Sequence, residues 1–506
     1  MSRNPQITNP SLWLAGANPD SFQIMDWRNW AWVVVLGMVI AGCADNDALS
    51  GEQPNVLNST QPAETADIPA APTTAPETNQ STFGPVPVSP EGPLDAGLES
   101  DLDALFDSLP RADLEAIDRI GASGDPRAAW LLTDIIRFTG GEIGKRTGDA
   151  WESLTAVSIP AGESPWGFTT DHMIAWDVPA PPGYINWKRQ VFELVEPRWA
   201  PLFDDPNATV DWRWVSWGGV LIDDRPVGQT NVGCPQGCIP ALNDPALTPA
   251  AEGSWYPDGS IVFGVVVGGE AVAFPKNIME IHEMVNITIG GRRLGMPYCT
   301  LCGSAQAYFT DDVAPGIDLD GHDSYELRTS GLLSRSNKVM FEFHTMSVID
   351  TFTGEAESGP LREASVVLAQ TSVRTSTWGD WRAAHPDTRI VAEDGGIGRS
   401  YPSDPLRGRD DDGPIFPIGD VDPRLEVQAP VVGVIADDGT PVAFPVAVIE
   451  PLTADGASVT LGGVTVTSDG AGFTATSATT GHALAAHQAF WFAWSQFHTD
   501  TLLFQA

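Results

Sequence analysis

The chain reads as an α+β protein: a small helical module followed by a β-rich, duplicated C-terminal domain with short helices. Three observations predict this. Apolar residues recur at helical spacing between residues 97 and 140. Farther on, Phe263-Gly264-Val265-Val266 followed by Val272-Ala273-Phe274-Pro275 recurs as Val432-Gly433-Val434-Ile435 followed by Val442-Ala443-Phe444-Pro445. The spacing W-x2-W-x3-H-x-D-T also occurs twice, as Trp378, Trp381, His385, Asp387, Thr388 and as Trp491, Trp494, His498, Asp500, Thr501.

A chain of 506 residues has room for two to four domains. Its formal charge is −39, with only 27 basic residues. Such a surface repels nucleic acid, so no nucleic-acid partner is expected. Adaptation to salty surroundings accounts for the charge without a specific partner.

Residues 1–43 read as a lipoprotein signal. The apolar run at 32–41 is too short for an ordinary spanning helix and ends in Ile40-Ala41-Gly42-Cys43. Small side chains just before a cysteine suit the signal peptidase, and Cys43 is the residue that receives lipid. Residues 1–24 are polar and lack a basic region, and Met25 with Asp26, Trp27 and Arg28 makes a better start. The expected location is extracytoplasmic, in the periplasm or at the cell surface, with the lipid in a membrane. An uncleaved N-terminal anchor is the rival reading. Residues 44–95, rich in Pro, Thr, Ala, Ser and Glu, read as a disordered tether.

Residues 96–140 hold the helical module. Leu102, Leu105, Phe106 and Leu109 share one helical face until Pro110 interrupts it. Asp113 suits the cap of a second helix with Leu114, Ile117 and Ile120. After a Gly-Asp-Pro turn at 124–126, Trp130, Leu131, Ile135 and Phe138 mark a third. One or two HEAT-like hairpins are not stable alone, so the module should pack on the downstream part of the chain. Residues 141–230 are rich in Trp and Pro and read as a connecting region, with one helix around 187–195. Their tryptophans suit core filling better than a carbohydrate cleft.

Two cysteine pairs come next. Cys234-Pro235-Gln236-Gly237-Cys238 is a candidate structural disulfide in an oxidising compartment, or a thiol partner for the second pair. That second pair, Cys299-Thr300-Leu301-Cys302, lies at the end of an apolar strand pattern and the start of a Gly-Ser turn. A C-x-x-C can cycle between dithiol and disulfide, supply half of a metal site, or form a static bridge. Upstream, Met279, His282 and Asn286 fall at helical spacing beside Glu283, with Ile278, Ile281 and Val285 toward the core. The first copy of the repeat (231–400) thus carries the chemistry, and the cysteine-free second copy (401–506) reads as scaffold. In both copies the His after the Trp pair, His385 in the first, is read as capping a packed helix rather than as a presented catalytic group.

Residues 266–391 resemble the bacterial domain of unknown function 3179 family. The resemblance is carried by Ala273-Phe274-Pro275, His282-Glu283-Met284-Val285-Asn286, Tyr298-Cys299-Thr300-Leu301-Cys302-Gly303-Ser304-Ala305, Ser330-Gly331-Leu332, Ser336-Asn337, Val339-Met340, Thr353-Gly354-Glu355-Ala356, Gly359-Pro360-Leu361, Thr377-Trp378-Gly379-Asp380-Trp381 and His385-Pro386-Asp387-Thr388. Some members of that family carry selenocysteine in the C-x-x-C, which implies redox work for this pair. The chain departs from the family downstream of Met340. Phe341-Glu342-Phe343 stands where the family has Tyr-Asp-Arg. Ser347-Val348-Ile349 stands for Ser-Leu-Trp, and Thr351 for Gln. If the lost groups bind substrate or metal, this copy has altered specificity or no activity.

The leading expectation is a thiol–disulfide or related oxidoreductase that needs no cofactor. Cys299 would attack, Cys302 resolve, and His282 or Glu283 tune the thiolate, with a redox partner or a small molecule as substrate. The alternatives are a copper or zinc module on Cys299, Cys302 and His282, and a surface scaffold with bridged cysteines. Asn286, Ser304, Ser330, Asn337 and His385 complete the candidate site residues.

Overall fold

The computed structural model describes residues 83–228, 234, 237–408 and 413–505. The signal-like run, Cys43 and the expected tether up to residue 82 lie outside the described residues, whereas residues 83–95, expected as disordered tether, pack on the helices: Trp176 Nε1 donates to Phe83 O at 3.1 Å and Arg127 Nη1 to Gly92 O at 2.7 Å. A helical N-terminal part is followed by a β-rich part, as an α+β chain requires.

The helices begin where capping chemistry places them. The Asp95 carboxylate accepts from Gly97 N at 2.8 Å and opens Ala96–Ser108. Asp113 accepts from Glu115 N (3.0 Å) and Ala116 N (3.1 Å) and opens Leu114–Gly121. Each carboxylate satisfies amides that have no partner inside the helix. Ala129–Phe138 is the third helix. The helical module does not stop at 140, however. Gly141–Thr155, Pro165–Trp176 and Tyr184–Val195 continue it. The glycines of the fourth helix (Gly141, Gly144, Gly148) weaken its local signal, and tertiary packing overrides that weakness. The fifth opens on Pro165 behind the Ser164 cap, a favourable start.

The tryptophans of this region fill the core. Trp130, Trp151 and Trp199 are buried. Trp130 Nε1 donates to Val178 O, and Trp199 Nε1 to Ser330 O in the β-rich part, both at 2.7 Å. One apolar core runs from Leu98 and Trp130 to Leu332, Val339 and Phe341, so the helices share their interior with the strand pair Leu327–Ser334 and Asn337–Glu342.

The strands form five sheets. Two share strand order and register. In one, Arg374–Thr377, Ile261–Val267, Glu270–Pro275 and Arg389–Val391 lie side by side, with Leu247–Pro249 outermost. In the other the order is Ala486–Phe490, Pro430–Ile435, Pro441–Pro445 and Leu502–Leu503. Gly264 pairs with Ala273 and Gly433 with Ala443, while Arg389 and Leu502 join in parallel opposite Val272 and Val442. Each hairpin ends in a proline that opens a short helix, Lys276–His282 or Val446–Leu452.

The repeated Trp motif is a clamp across these sheets. Trp381 Nε1 donates to Thr388 Oγ1 at 2.9 Å, and Trp494 Nε1 to Thr501 Oγ1 at 2.8 Å. His385 and His498 close their helices by donating from the backbone to Trp381 O and Trp494 O, and each ring lies against that Trp (centroids 4.1 and 4.2 Å apart). The clamped indoles rest on glycine. A Cβ at Gly264 would stand 2.2 Å from the Trp381 ring, and one at Gly433 2.1 Å from the Trp494 ring. Gly264→Ala and Gly433→Ala should therefore each lower stability by about 1–3 kcal/mol. Denaturant unfolding of the two single variants checks this. Unchanged midpoints would contradict the clamp.

Candidate functional site

The strand Arg292–Cys299 delivers Cys299 to a tight turn closed by Cys302 N donating to Cys299 O (3.2 Å). The chain returns as Ser304–Ala305, with Ser304 opposite Cys299 and Ala305 opposite Tyr298. Both thiols are free and buried, Cys299 at 2% and Cys302 at 0% exposure. Side chains alternate along a strand. Tyr298, Ala305 and Ala307 accordingly face the core shared with the first sheet, while the sulfurs cluster with Val431 and Ala489 of the second sheet and with Trp491 and Phe492 of the helix Trp491–Phe497 that follows it. Phe490 N donates to Cys302 O at 2.8 Å, and the Phe490 ring fills the space where Gly303 would carry a side chain. The cysteine-free sheet is thus one wall of the thiol site.

A second wall comes from the hairpin turn before Asn337–Glu342. Ser336 O lies 3.9 Å from Cys299 Sγ and 3.7 Å from Cys302 Sγ, and Asn337 Oδ1 lies 3.2 Å from Cys302 Sγ. The next residue, Lys338, is buried beneath the sulfurs. Its Nζ donates to Tyr298 O (3.0 Å), to Glu283 O, and to the Glu283 carboxylate (Oε2, 3.2 Å). Glu283 also accepts from Thr300 Oγ1 at 3.2 Å, so one residue holds both the cation and the turn between the cysteines. Glu283 (φ 50°) and Ser336 (φ 68°) adopt the left-handed conformation, which costs a non-glycine residue about 1 kcal/mol. Both bracket the thiols.

The electrostatics separate the two sulfurs. Burial and the Glu283 charge push the Cys299 thiol up, but the Cys302 hydrogen bond above all, helped by the Lys338 backbone N–H and the Lys338 charge, outweighs them, and Cys299 lies below the ordinary thiol range. Burial and the neighbouring Cys299 hold Cys302 well above that range. Burial lowers Lys338, against the opposing pull of Glu283 and Cys299. Cys299 is therefore the more readily ionised of the two sulfurs.

The structure does not bring His282 to this site. Its Nδ1 meets Pro240 O and its Nε2 the Tyr401 hydroxyl, both at 2.7 Å. The helix ends at His282 because Glu283 turns left-handed, and Met284–Ile289 is a strand. Asn286 is therefore on that strand, not on a helical face with His282. Its amide donates to Asn243 Oδ1 and Leu327 O, both at 3.0 Å, and its Oδ1 accepts from Leu327 N. The metal set of Cys299, Cys302 and His282 is not assembled. Among the described residues the one trio of ligand atoms within 4.8 Å of one another is Asp223, Cys234 and Cys238. There Cys234 and Cys238 are joined as a disulfide, and the Asp223 carboxylate is engaged by Arg225, Arg328 and Ala241 N. A bridged pair offers no thiolate to a metal.

Of the remaining expected residues, Asn337 and Ser304 border the sulfurs. Ser330 shapes the strand instead, its Oγ donating to Val339 O at 2.5 Å and accepting from Leu332 N. His385 belongs to the Trp clamp. The positions that depart from the family build the fold. Glu342 accepts from Glu326 N, Thr345 N and Thr345 Oγ1, and Ser347 Oγ accepts from Leu361 N. Thr351 Oγ1 donates to Lys338 O at 2.6 Å and so steadies the strand of the buried cation. Lys338 itself is the residue that motif reading passes over. Its signal is a lone lysine in Asn-Lys-Val-Met-Phe-Glu, a segment otherwise dominated by apolar side chains. A lysine in a fully buried strand needs a partner.

A β-rich domain that encloses a dithiol over a buried cation is the class of protein defined here. Residues 236–479 match the family described as "Protein of unknown function (DUF3179)", and this part of the chain belongs to that family. No curated protein and no solved structure matches the chain.

Three imidazoles are kept uncharged by burial: His282 at about 4, His487 at about 3, where His498 adds repulsion, and His498 at about 4. A histidine whose native pKa lies below its unfolded value stabilises the fold above the unfolded value and loses that contribution as pH falls. Stability should therefore decline from about pH 6.5 to about pH 4. His282→Gln should flatten part of that slope, measured as unfolding free energy against pH.

Proposed function

We propose that the chain is an extracytoplasmic, membrane-tethered thiol oxidoreductase that works through Cys299 and Cys302. The observation that carries this reading is that the two thiols are free, buried side by side and unequal, Cys299 lying below the ordinary thiol range and Cys302 well above it. A static bridge has no use for such a difference. Cys299 is the attacking sulfur because its thiolate is the favoured one, and Cys302 resolves the intermediate because it keeps its proton. The second sheet is read as a duplicate of the first that lost, or never held, a thiol pair and serves as the cover. The address is read from Ile40-Ala41-Gly42-Cys43, with lipid on Cys43.

Equilibration of the full chain in thiol redox buffers, followed by counting free thiols by mass, tests the chemistry. A midpoint above about −300 mV is expected, whereas a lower one would mark a structural disulfide. Cys302→Ser should accumulate a mixed disulfide on Cys299 with glutathione, and Cys299→Ser should not. Lys338→Met should raise the Cys299 pKa by about one unit or more, so that thiol alkylation at neutral pH slows roughly tenfold. Glu283→Gln, which keeps the cation, should preserve the thiolate. The address is checked by fatty-acid labelling in cells, expected for the normal chain and absent for Cys43→Ala.

A further inference from the structure

The thiol reading leaves the oxidant open, and the polar groups around the sulfurs narrow it. Cys299 and Ser304 are direct cross-strand partners, so their side chains leave the sheet on the same face. Gln306 N donates to Pro297 O, which continues the pairing and puts the Gln306 side chain on that face too. Ser304 and Gln306 are wholly buried. Among the described residues, Ser304 Oγ and Gln306 Oε1 have no hydrogen-bond partner, and neither does the hydroxyl of Ser336, whose carbonyl faces both sulfurs. Buried polar atoms without a partner are costly and uncommon. The Gln306 amide nitrogen is turned toward His487 Nε2 at 3.4 Å, and His487 belongs to the strand Ala486–Phe490 that walls the site.

Cys299, Ser304 and Gln306 thus form a row in which a thiolate stands beside an unused hydroxyl and an unused amide oxygen. Phe490, Trp491 and Phe492 pack beside the sulfurs and slow the in-line approach of a large disulfide. A small neutral molecule that both donates and accepts hydrogen bonds meets less obstruction. We infer that the oxidant of this dithiol is a small hydroperoxide, with hydrogen peroxide as its simplest member, held by Ser304 and Gln306 beside Cys299. This rests on the thiol redox reading above.

In the oxidation, the Cys299 thiolate attacks one peroxide oxygen, the O–O bond breaks and an S–O bond forms. The departing hydroxide takes the Cys302 proton and leaves as water. Cys302 sulfur then attacks Cys299 sulfur, the S–S bond forms and the S–O bond breaks. The second hydroxide takes a proton from solvent. The two sulfurs lose two electrons and the peroxide gains them. An external dithiol returns the pair to its reduced form and is itself oxidised to a disulfide. In this scheme Ser304 Oγ–H donates to the departing oxygen, where negative charge develops, and Gln306 Oε1 accepts from the peroxide O–H.

The test is to mix the reduced full-length protein with hydrogen peroxide, tert-butyl hydroperoxide or glutathione disulfide and to follow thiol loss by quenched mass analysis. Hydrogen peroxide should react on the order of 100-fold faster than it does with free cysteine. The two bulkier oxidants should gain no such advantage. Ser304→Ala and Gln306→Leu should each slow the peroxide reaction roughly tenfold. Their disulfide content at equilibrium in a thiol redox buffer should match the unchanged protein, which also reports that they fold. A peroxide rate no better than that of free cysteine, or one untouched by both substitutions, overturns the proposal while a normal redox-buffer equilibrium leaves the thiol reading standing. If no redox buffer forms the Cys299–Cys302 bridge, the thiol reading fails and the proposal falls with it.

Discussion

Lys338 keeps a positive charge where water does not reach it, and the rest of the site depends on how that charge is compensated. Moving an ammonium out of water costs several kcal/mol unless its protons and its charge are met. Here Tyr298 O, Glu283 O and the Glu283 carboxylate meet all three N–H donors. Glu283 can do this because its left-handed backbone ends one helix and starts a strand, which turns its carbonyl and its carboxylate toward the same cation. The order of the two thiols comes chiefly from burial and from the hydrogen bond between them. The Lys338–Glu283 pair fixes a helix end, a strand start and the turn between the cysteines.

The second constraint is mechanical. Two sheets of the same strand order carry the same Trp–Thr clamp, each seated on a glycine. Only the first leads into a thiol pair. The second contributes Phe490, Trp491 and Phe492 as the roof over it, tied down by the Phe490 N to Cys302 O hydrogen bond. The clamp thus gives the roof a fixed position relative to the sulfurs it covers. Among the described residues no helix is long and apolar enough to cross a membrane.

Much of this architecture can be read from the residues. The two hairpins, their closing prolines and the Trp spacing announce themselves because each rests on a local rule: alternation, a fixed φ, or one helical turn. Asp113 is legible for the same reason. The helix near residues 187–195 is legible as well, as Tyr184–Val195, whereas the helix Gly141–Thr155 is not, since Gly141, Gly144 and Gly148 argue locally against it and only burial against the surrounding core outweighs them. The site divides in the same way. Cys299, Cys302, Glu283, Ser304 and Asn337 are motif neighbours and come together. His282 and Asn286 share a helical spacing with Met279, but the helix ends at the left-handed Glu283, which leaves Met279 and His282 on it and puts Asn286 on the following strand. Lys338 is invisible to spacing because its partner lies 55 residues earlier in the chain.

The two cysteine pairs show how far environment separates like from like. Cys238 Sγ lies 3.6 Å from an oxygen of Asp223, a carboxylate at the sulfur's side, and a thiolate there would face negative charge at close range. The nearby cations, Arg225 and Arg328, are turned to that carboxylate. A disulfide, which carries no charge, is the form that suits such a place. Around Cys299 the Glu283 carboxylate is matched by the Lys338 ammonium, and the Cys302 thiol beside it holds Cys299 below the ordinary thiol range. The two pairs, four residues apart in one loop and three in the other, are thus set to be oxidised in one place and left as unequal thiols in the other. That contrast comes from the groups around the sulfurs, and no property of the cysteines themselves produces it.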